Sequence, residues 1–292
     1  MKIKEFFQKK SPVISFEFFP PKTDEGSQNL LETVTTLREF RPSFVSITYG
    51  AGGNTRAKTV QLVSKIKNEI GIETMAHLTC VGHTREEILN ILKELESEGI
   101  ESVLALRGDP PQGRKNFPAN PDGLNHASDL VKLIRKGFEF GVGVAGYPEK
   151  HPEAPTWEED LRHLKEKVDA GADFVITQLF FINRDYFSFV EKARKIGIQV
   201  PIVPGIMPIK DVEQIKRFTV MCGAKIPDKL LRQLENVKND GEEVVRLGVD
   251  YATEQCMELL KKGAPGIHFY TLNKSQSTRE IFRRLKEAGM VP

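Results

Sequence analysis

Cysteine is scarce in this chain. The three present, Cys80, Cys222 and Cys256, stand far apart and form no CxxC pair. That leaves no framework for disulfides or a structural zinc and suits a reducing, cytoplasmic setting. Long apolar runs are missing too. The amino terminus, Met1-Lys2-Ile3-Lys4-Glu5, is charged where a signal segment needs an apolar core. No window approaches the roughly 18 consecutive apolar residues of a membrane span. An excess of one charge is equally lacking, since 42 Lys and Arg against 40 Asp and Glu leave a formal +2. So even a balance gives no electrostatic reason to expect nucleic acid or a membrane surface as partner. Neither HExxH, nor GxSxG, nor a paired set of metal ligands occurs, which argues against metal hydrolysis and serine chemistry. Gly141-Val142-Gly143-Val144-Ala145-Gly146 does spell GxGxxG. Its glycines lie within a strand-like run, however, and Tyr147-Pro148 follows where a dinucleotide loop would open a helix.

What is present is an alternation of strand and helix signals. Apolar, β-branched and aromatic runs predict strands near 13–19, 43–48, 73–80, 102–106, 140–145, 173–178, 200–204 and 266–271. Helix-period stretches fill the gaps. Thr84 with Glu87 and Thr156 with Glu159 have capping-box spacing. Gly71, Gly99, Gly171 and Gly197 stand at helix ends, before the next strand. Eight strands each followed by a helix predict an α/β fold, a single (β/α)₈ TIM barrel domain over residues 1–292. Two segments exceed that minimum. Arg107–Asp122 is a proline-rich loop long enough to wall or cover a site. Residues 223–262, with an amphipathic run from Glu242 to Lys261, predict extra helices between strands seven and eight.

The first chemical signal is Ser15-Phe16-Glu17-Phe18-Phe19-Pro20-Pro21-Lys22. Alternation puts Ser15 and Glu17 on one face of the strand and Phe16 and Phe18 on the other. A carboxylate in so dry a strand needs a partner, a proton or a cavity mouth. Glu17 is therefore either salt-bridged at the strand end or a carboxyl whose pKa is raised by desolvation, able to give a proton near neutral pH. The other strands end in polar or aromatic residues as well: Thr48-Tyr49-Gly50, His77, Arg107-Gly108-Asp109, Tyr147, Gln178, Pro204-Gly205 and Phe269-Tyr270-Thr271. Each alone has a structural explanation. Together, at the carboxyl ends of barrel strands, they read as a site for an anionic or heteroaromatic ligand. Cys80 reads as a small core hydrophobe.

Eight ordered segments resemble those of methylenetetrahydrofolate reductase. They are SFEFFPPK (15–22), SITYGAGG (46–53), HLTC (77–80), LRGDPP (106–111), GYPEKHPEA (146–154), ITQLFF (176–181), PGIMP (204–208) and HFYTLN (268–273). The resemblance implies a barrel with non-covalent FAD, reducing 5,10-methylenetetrahydrofolate to 5-methyltetrahydrofolate with NADH or NADPH in one-carbon metabolism. By motif position it implies Glu17 as general acid and Asp109 as the carboxylate whose charge stabilises the opened iminium cation. Gln178 is similar to the glutamine that orients pterin and nicotinamide in turn, and Gln214 and Phe218 to residues that hold the substrate. The flavin is implied to rest on Thr48, Tyr49, Ala51, His77, Arg107, Gly108, Asp109, Ala127, Tyr147, His151, Ala154, Asp160 and Lys167. Lys274 stands where the family pattern has arginine, and it keeps the charge without the planar fork.

The resemblance further implies a homo-oligomer of the bacterial or archaeal form. The long carboxyl-terminal regulatory region of the eukaryotic relatives, and inhibition by S-adenosylmethionine, are not expected. Two rival readings stay open. One is a flavin-free pterin barrel that transfers a methyl group to a corrinoid. The other is a barrel subunit fed electrons by an iron–sulfur partner protein.

Overall fold

A computed structural model of the chain describes residues 1–9, 11–49, 53–108 and 120–292, those of 53–57 as backbone alone. Strands form where the apolar runs lie: β1 Val13–Phe18, β2 Phe44–Ile47, β3 Thr74–Thr79, β4 Ser102–Leu106, β5 Gly141–Gly146 and β6 Phe174–Thr177. After them come two short strands, β7 Ile202–Val203 and β8 Gly205–Ile206, and then β9 Gly266–Tyr270. All pair in parallel, in the order β7-β6-β5-β4-β3-β2-β1-β9-β8. The two ends of that order are consecutive in the chain. β7 and β8 are halves of the expected seventh strand, which runs on to Ile206 rather than ending at 204. The first half pairs with β6 and the second with β9, so together they close the ring. Pro204 stands at the change of partner, where its missing amide is no loss, and its carbonyl accepts from His268 N at 3.0 Å.

The expected barrel is thus the observed fold, covered on both faces as a parallel sheet requires. Outward residues such as Phe16, Phe18, Val45 and Ile47 pack under the helices. Inward residues Val13, Phe44, Met75, Leu104, Phe174 and Val203 form a separate cluster inside the barrel, joined from below by Ile3. Ile3 belongs to an amino-terminal 3₁₀ turn, and its amide donates to Ser102 Oγ at 3.0 Å.

Helices α1 Asp24–Leu37, α2 Gly53–Lys65, α3 Arg85–Ser97, α4 Ala127–Gly137, α5 Trp157–Asp169 and α6 Asn183–Lys195 follow the first six strands. The capping box is present at α3, where Thr84 accepts from Glu87 N and Glu87 accepts from Thr84 N. Between β8 and β9 lie α7 Val212–Cys222, α8 Asp228–Asn236 and α9 Gly241–Lys261, and α10 Gln276–Glu287 follows β9. One assignment changes here. The sequence pattern makes the helix after strand seven part of the outer ring and the later region an addition. In the structure α9 takes the ring position, packed against α6 and α10 with Val249, Ala252, Cys256 and Leu259 buried on the barrel. The additions are α7 and α8. Their Val212, Ile215, Leu230 and Leu234 pack with Leu179, Phe181 and Met207, residues at the carboxyl ends of the strands.

Candidate active site

Those carboxyl ends open into a cavity of about 420 Å³, within the size range of small-molecule sites. Its interior has two kinds of wall. Glu17 of β1 and His77 of β3 line one side, with Ser15, Ser46 and His268 buried off the lining on β1, β2 and β9. β4, β5 and β6 contribute Leu104, Leu106, Ala145 and Ile176.

Glu17 lies at the centre of the polar wall. Ser15 Oγ and His268 Nδ1 are 2.8 Å apart, and His268 Nε2 lies 3.1 Å from Glu17 Oε2. A carboxylate only accepts, so His268 Nε2 carries a hydrogen towards Glu17, and Ser15 Oγ is hydrogen-bonded to the other ring nitrogen. His77 Nε2 lies 3.2 Å from the same oxygen. It is out of line for a directed bond and has no other hydrogen-bond partner among the described residues. The sequence expectation of a raised Glu17 pKa is therefore corrected. Burial pushes it upward, but the attraction of His77 and the hydrogen bond from His268 outweigh that and hold it at about 2. Phe16 and Phe18, the supposed apolar surroundings, face the helices instead.

A pH dependence follows from the depressed value. A carboxyl lowered from 4.5 to about 2 contributes stability that is complete above pH 4.5 and is lost as pH falls through 2. The advantage of the wild type over Glu17→Gln in unfolding free energy should shrink by about 3 kcal/mol between pH 6 and pH 2. Urea midpoints across that range measure it; a constant difference would mean that the imidazoles do not hold the carboxylate.

Across the cavity stand Arg107 and Gly108 after β4, Ala127 at the start of α4, Tyr147 and His151 after β5, Lys167 on α5 and Gln178 after β6. Arg107 grips Glu153 with both guanidinium nitrogens, at 2.6 and 3.0 Å. Lys167 Nζ donates to Ala145 O at 2.6 Å, and burial lowers this lysine to about 8, with Asp160 opposing. Gln178 turns its Oε1 to accept from Leu179 N. Phe218 reaches the cavity from α7, with Thr48 and His77 on the polar side.

The remaining expected residues lie elsewhere. Tyr49 bonds His83 Nε2 through its hydroxyl at 3.0 Å, outside the lining. Asp160 accepts from His151 N at 3.2 Å, so it stands behind the wall, and burial raises its pKa. Ala154 is buried in the same loop, Gln214 is half-buried one turn before Phe218, and Lys274 is exposed off the lining. Ala51 and Asp109, with most of the proline-rich loop, fall outside the described residues.

Sequence reasoning missed His268, although it lies in the HFYTLN segment two residues before Tyr270 and so on the same face. Met221 and Cys222 were missed as well; they follow Phe218 at i+3 and i+4 on α7 and share its exposure to the cavity. Tyr270 crosses the cavity floor to donate to Thr177 O at 2.6 Å. It passes over Gly205, where a Cβ would stand 2.6 and 2.7 Å from its ring and hydroxyl.

Fold and site together define a barrel protein with a small-molecule cavity built around a buried carboxylate–imidazole cluster. The family model for methylenetetrahydrofolate reductase matches residues 2–286, and the chain belongs to that family. The 5,10-methylenetetrahydrofolate reductases of Salmonella typhimurium and Escherichia coli are 39% and 38% identical to it, over 93% of this chain and 90% of theirs. Methylenetetrahydrofolate reductase (NADH) 1 of Arabidopsis thaliana is 43% identical over 97% of this chain and 50% of its own length. The chain thus spans about half the length of the plant relatives it matches. Among solved structures, a Clostridium thermocellum protein described as binding two copies of 5-methyl-5,6,7,8-tetrahydrofolic acid has the same fold, with a TM-score of 0.65. It is 16% identical over 99% of both chains.

Proposed function

We propose that the protein reduces 5,10-methylenetetrahydrofolate to 5-methyltetrahydrofolate, with FAD in the cavity and a reduced nicotinamide nucleotide as electron source. The observation that carries this reading is Glu17 and its two imidazoles at the polar end of a 420 Å³ cavity in a member of this family. The residues present suit a flavin. Apolar Leu104, Leu106 and Ile176 offer a dry wall to a flat ring, and Lys167 and Arg107 bring cations to the phosphate side. Gly108, at φ 90°, and Ala127 keep the backbone open to close approach. His77 lines the cavity, with its buried Nε2 3.2 Å from Glu17 Oε2. When bound, FAD would supply the hydride transfer.

The chain's own residues would bind, orient and protonate. Phe218 would stack on an aromatic ring of the substrate and Gln178 would hold the pterin by its amide. Glu17 is ionised in the free protein, so an acid role requires that it take up a proton once ligand is bound. A substrate placed over Glu17 would strip solvent from the carboxylate and favour its uptake of a proton from solvent, which it would pass to the leaving nitrogen. The carboxylate left by that transfer faces the developing cation and stabilises it. Asp109 is proposed for the same electrostatic task on the strength of its LRGDPP segment.

An anaerobic visible spectrum tests the reading. A two-band flavin spectrum should bleach with NADH or NADPH and return on adding methylenetetrahydrofolate. Bleaching only by dithionite would move the question to a protein electron donor. A colourless protein, inert after FAD is added, would sink the assignment in favour of a flavin-free methyltransferase.

A further inference from the structure

Helix α7 supplies Phe218, Met221 and Cys222 to the cavity, yet its outer side is bare: Val220 and Met221 are 83% and 70% exposed. Packing holds it on one side, and Lys216 pairs with Glu235 of α8. Two polar ties act at its ends. Before the helix, Lys210 reaches the loop between β9 and α10, and its Nζ donates to Thr271 O at 2.8 Å and Lys274 O at 2.6 Å. That loop needs holding, because Leu272 and Asn273 are consecutive left-handed residues with φ of 53° and 58°, a shape that side chains disfavour. Asn273 also pairs with both Phe19 N and Phe19 O, at 2.7 and 2.8 Å, and Thr271 Oγ1 donates to Glu17 O at 2.6 Å.

After the helix, Gly223 ends α7 against Pro152, and Lys225 N donates to the two oxygens of Glu149 at 3.1 and 3.2 Å. Glu149 and Pro152 lie on the loop that carries Tyr147 and His151 into the cavity. Each tie thus joins α7 to a loop that itself builds the site.

We propose that Lys210 and Glu149 are positioning residues, the two fasteners that hold α7 over the cavity and fix where Phe218 meets the substrate ring. Neither is among the residues that the resemblance assigns to substrate or flavin contact, although Glu149 lies within the GYPEKHPEA segment. The charges around them bear on when the ties hold. Burial raises Glu149 to about 7; the amide of Lys225 opposes it, Asp185 on α6 adds to it, and the Lys225 charge opposes. Cys222 lies near, and Lys192 across the same recess stands over the Trp157 ring at 3.9 Å. Burial lowers Lys210 to about 8, and Lys274 adds to that; Asp211, next to it, is engaged in capping α7 at Gln214 N. Glu149 gains its charge as pH rises through about 7, and Lys210 loses its charge as pH rises through about 8. The two charged ties therefore overlap most near pH 7–8 and weaken on either side.

The test has one arm that needs no activity. Amide hydrogen exchange over 212–222 of the whole protein, corrected for intrinsic rate, should accelerate about tenfold in Lys210→Met and in Glu149→Ala, as loss of a charge-assisted bond implies. Exchange in β1–β6 should stay as it is. The second arm is kinetic and rests on the reductase reading. The KM for methylenetetrahydrofolate should be lowest between pH 7 and 8 and rise on either side, with kcat little changed. Lys210→Arg should flatten the alkaline rise and Glu149→Gln the acid rise, since these keep a donor and an acceptor in place and fold even if the harsher variants do not. Unchanged exchange over 212–222, or pH limbs that persist in the two conservative variants, would overturn the proposal. Absence of turnover in the wild type would instead reject the reductase reading, and the exchange arm would still decide this one.

Discussion

Glu17→Gln is expected to slow reduction of methylenetetrahydrofolate by about 10²–10⁴-fold, the usual worth of a general acid, while reduction of bound flavin by the nucleotide proceeds nearly as before. The two half-reactions differ in what they ask of the protein. Hydride delivery to a flavin asks for stacking and orientation, which Gln178, Phe218 and the apolar wall can give. Opening the folate ring asks for a proton at a leaving nitrogen, and Glu17 is the carboxyl at the polar wall of the cavity. Glutamine keeps the size and can still accept from His268, so the cluster keeps its shape and loses only its acid. Stopped-flow absorbance of each half-reaction separates the two. Equal losses in both would reject the acid role and leave Glu17 as a structural anion.

Gly266→Ala should destabilise the fold by about 3 kcal/mol or more, the upper range for overpacking. Gly266 pairs with Val13 at the foot of β9, and an added Cβ would run into the Val13 carbonyl oxygen. Backbone cannot swing aside as a side chain does, so β1 and β9 must part. They are the strands that bring His268 to Glu17, so the site should suffer with the fold. Gly137→Ala is the contrasting case. It closes α4 with open space around it, and alanine there should be neutral or up to about 1 kcal/mol stabilising. Urea midpoints of the two variants decide the matter; similar small shifts would show that the β1–β9 contact is looser than its geometry.

How much of this was legible beforehand varied with the range of the interactions. Strands such as Val13–Phe18 announce themselves because a parallel strand buried on both faces is apolar throughout, and glycines punctuate the returns. Alternation alone correctly put Glu17 on the opposite face from Phe16 and Phe18. Its ionisation was out of reach, because its partners His77 and His268 come from β3 and β9 and become neighbours only when the barrel forms. Local sequence could see the dry strand but not the imidazoles that cancel its effect. The exchange of roles between α7 and α9 was hidden for a similar reason. Both are amphipathic, and the choice of ring helix is made by which apolar stripe fits between α6 and α10. Lys167 and Asp160, one family role in sequence, separate in space into a cavity residue and a support for His151.

The split seventh strand has a mechanical consequence. β1 meets β9 over five residue pairs, whereas β7 meets β6, and β8 meets β9, over two pairs each. A closed ring loaded evenly parts at its thinnest joint, and here that joint lies next to the insertion of α7 and α8. The barrel therefore behaves as a clasp rather than a hoop. Six βα units form a frame carrying the wall of Arg107, Tyr147 and Lys167, and the short stave is the place where the ring can give. The roof over the cavity hangs from that stave, so any give in the ring is felt first at Phe218 and least at the wall of β4–β6.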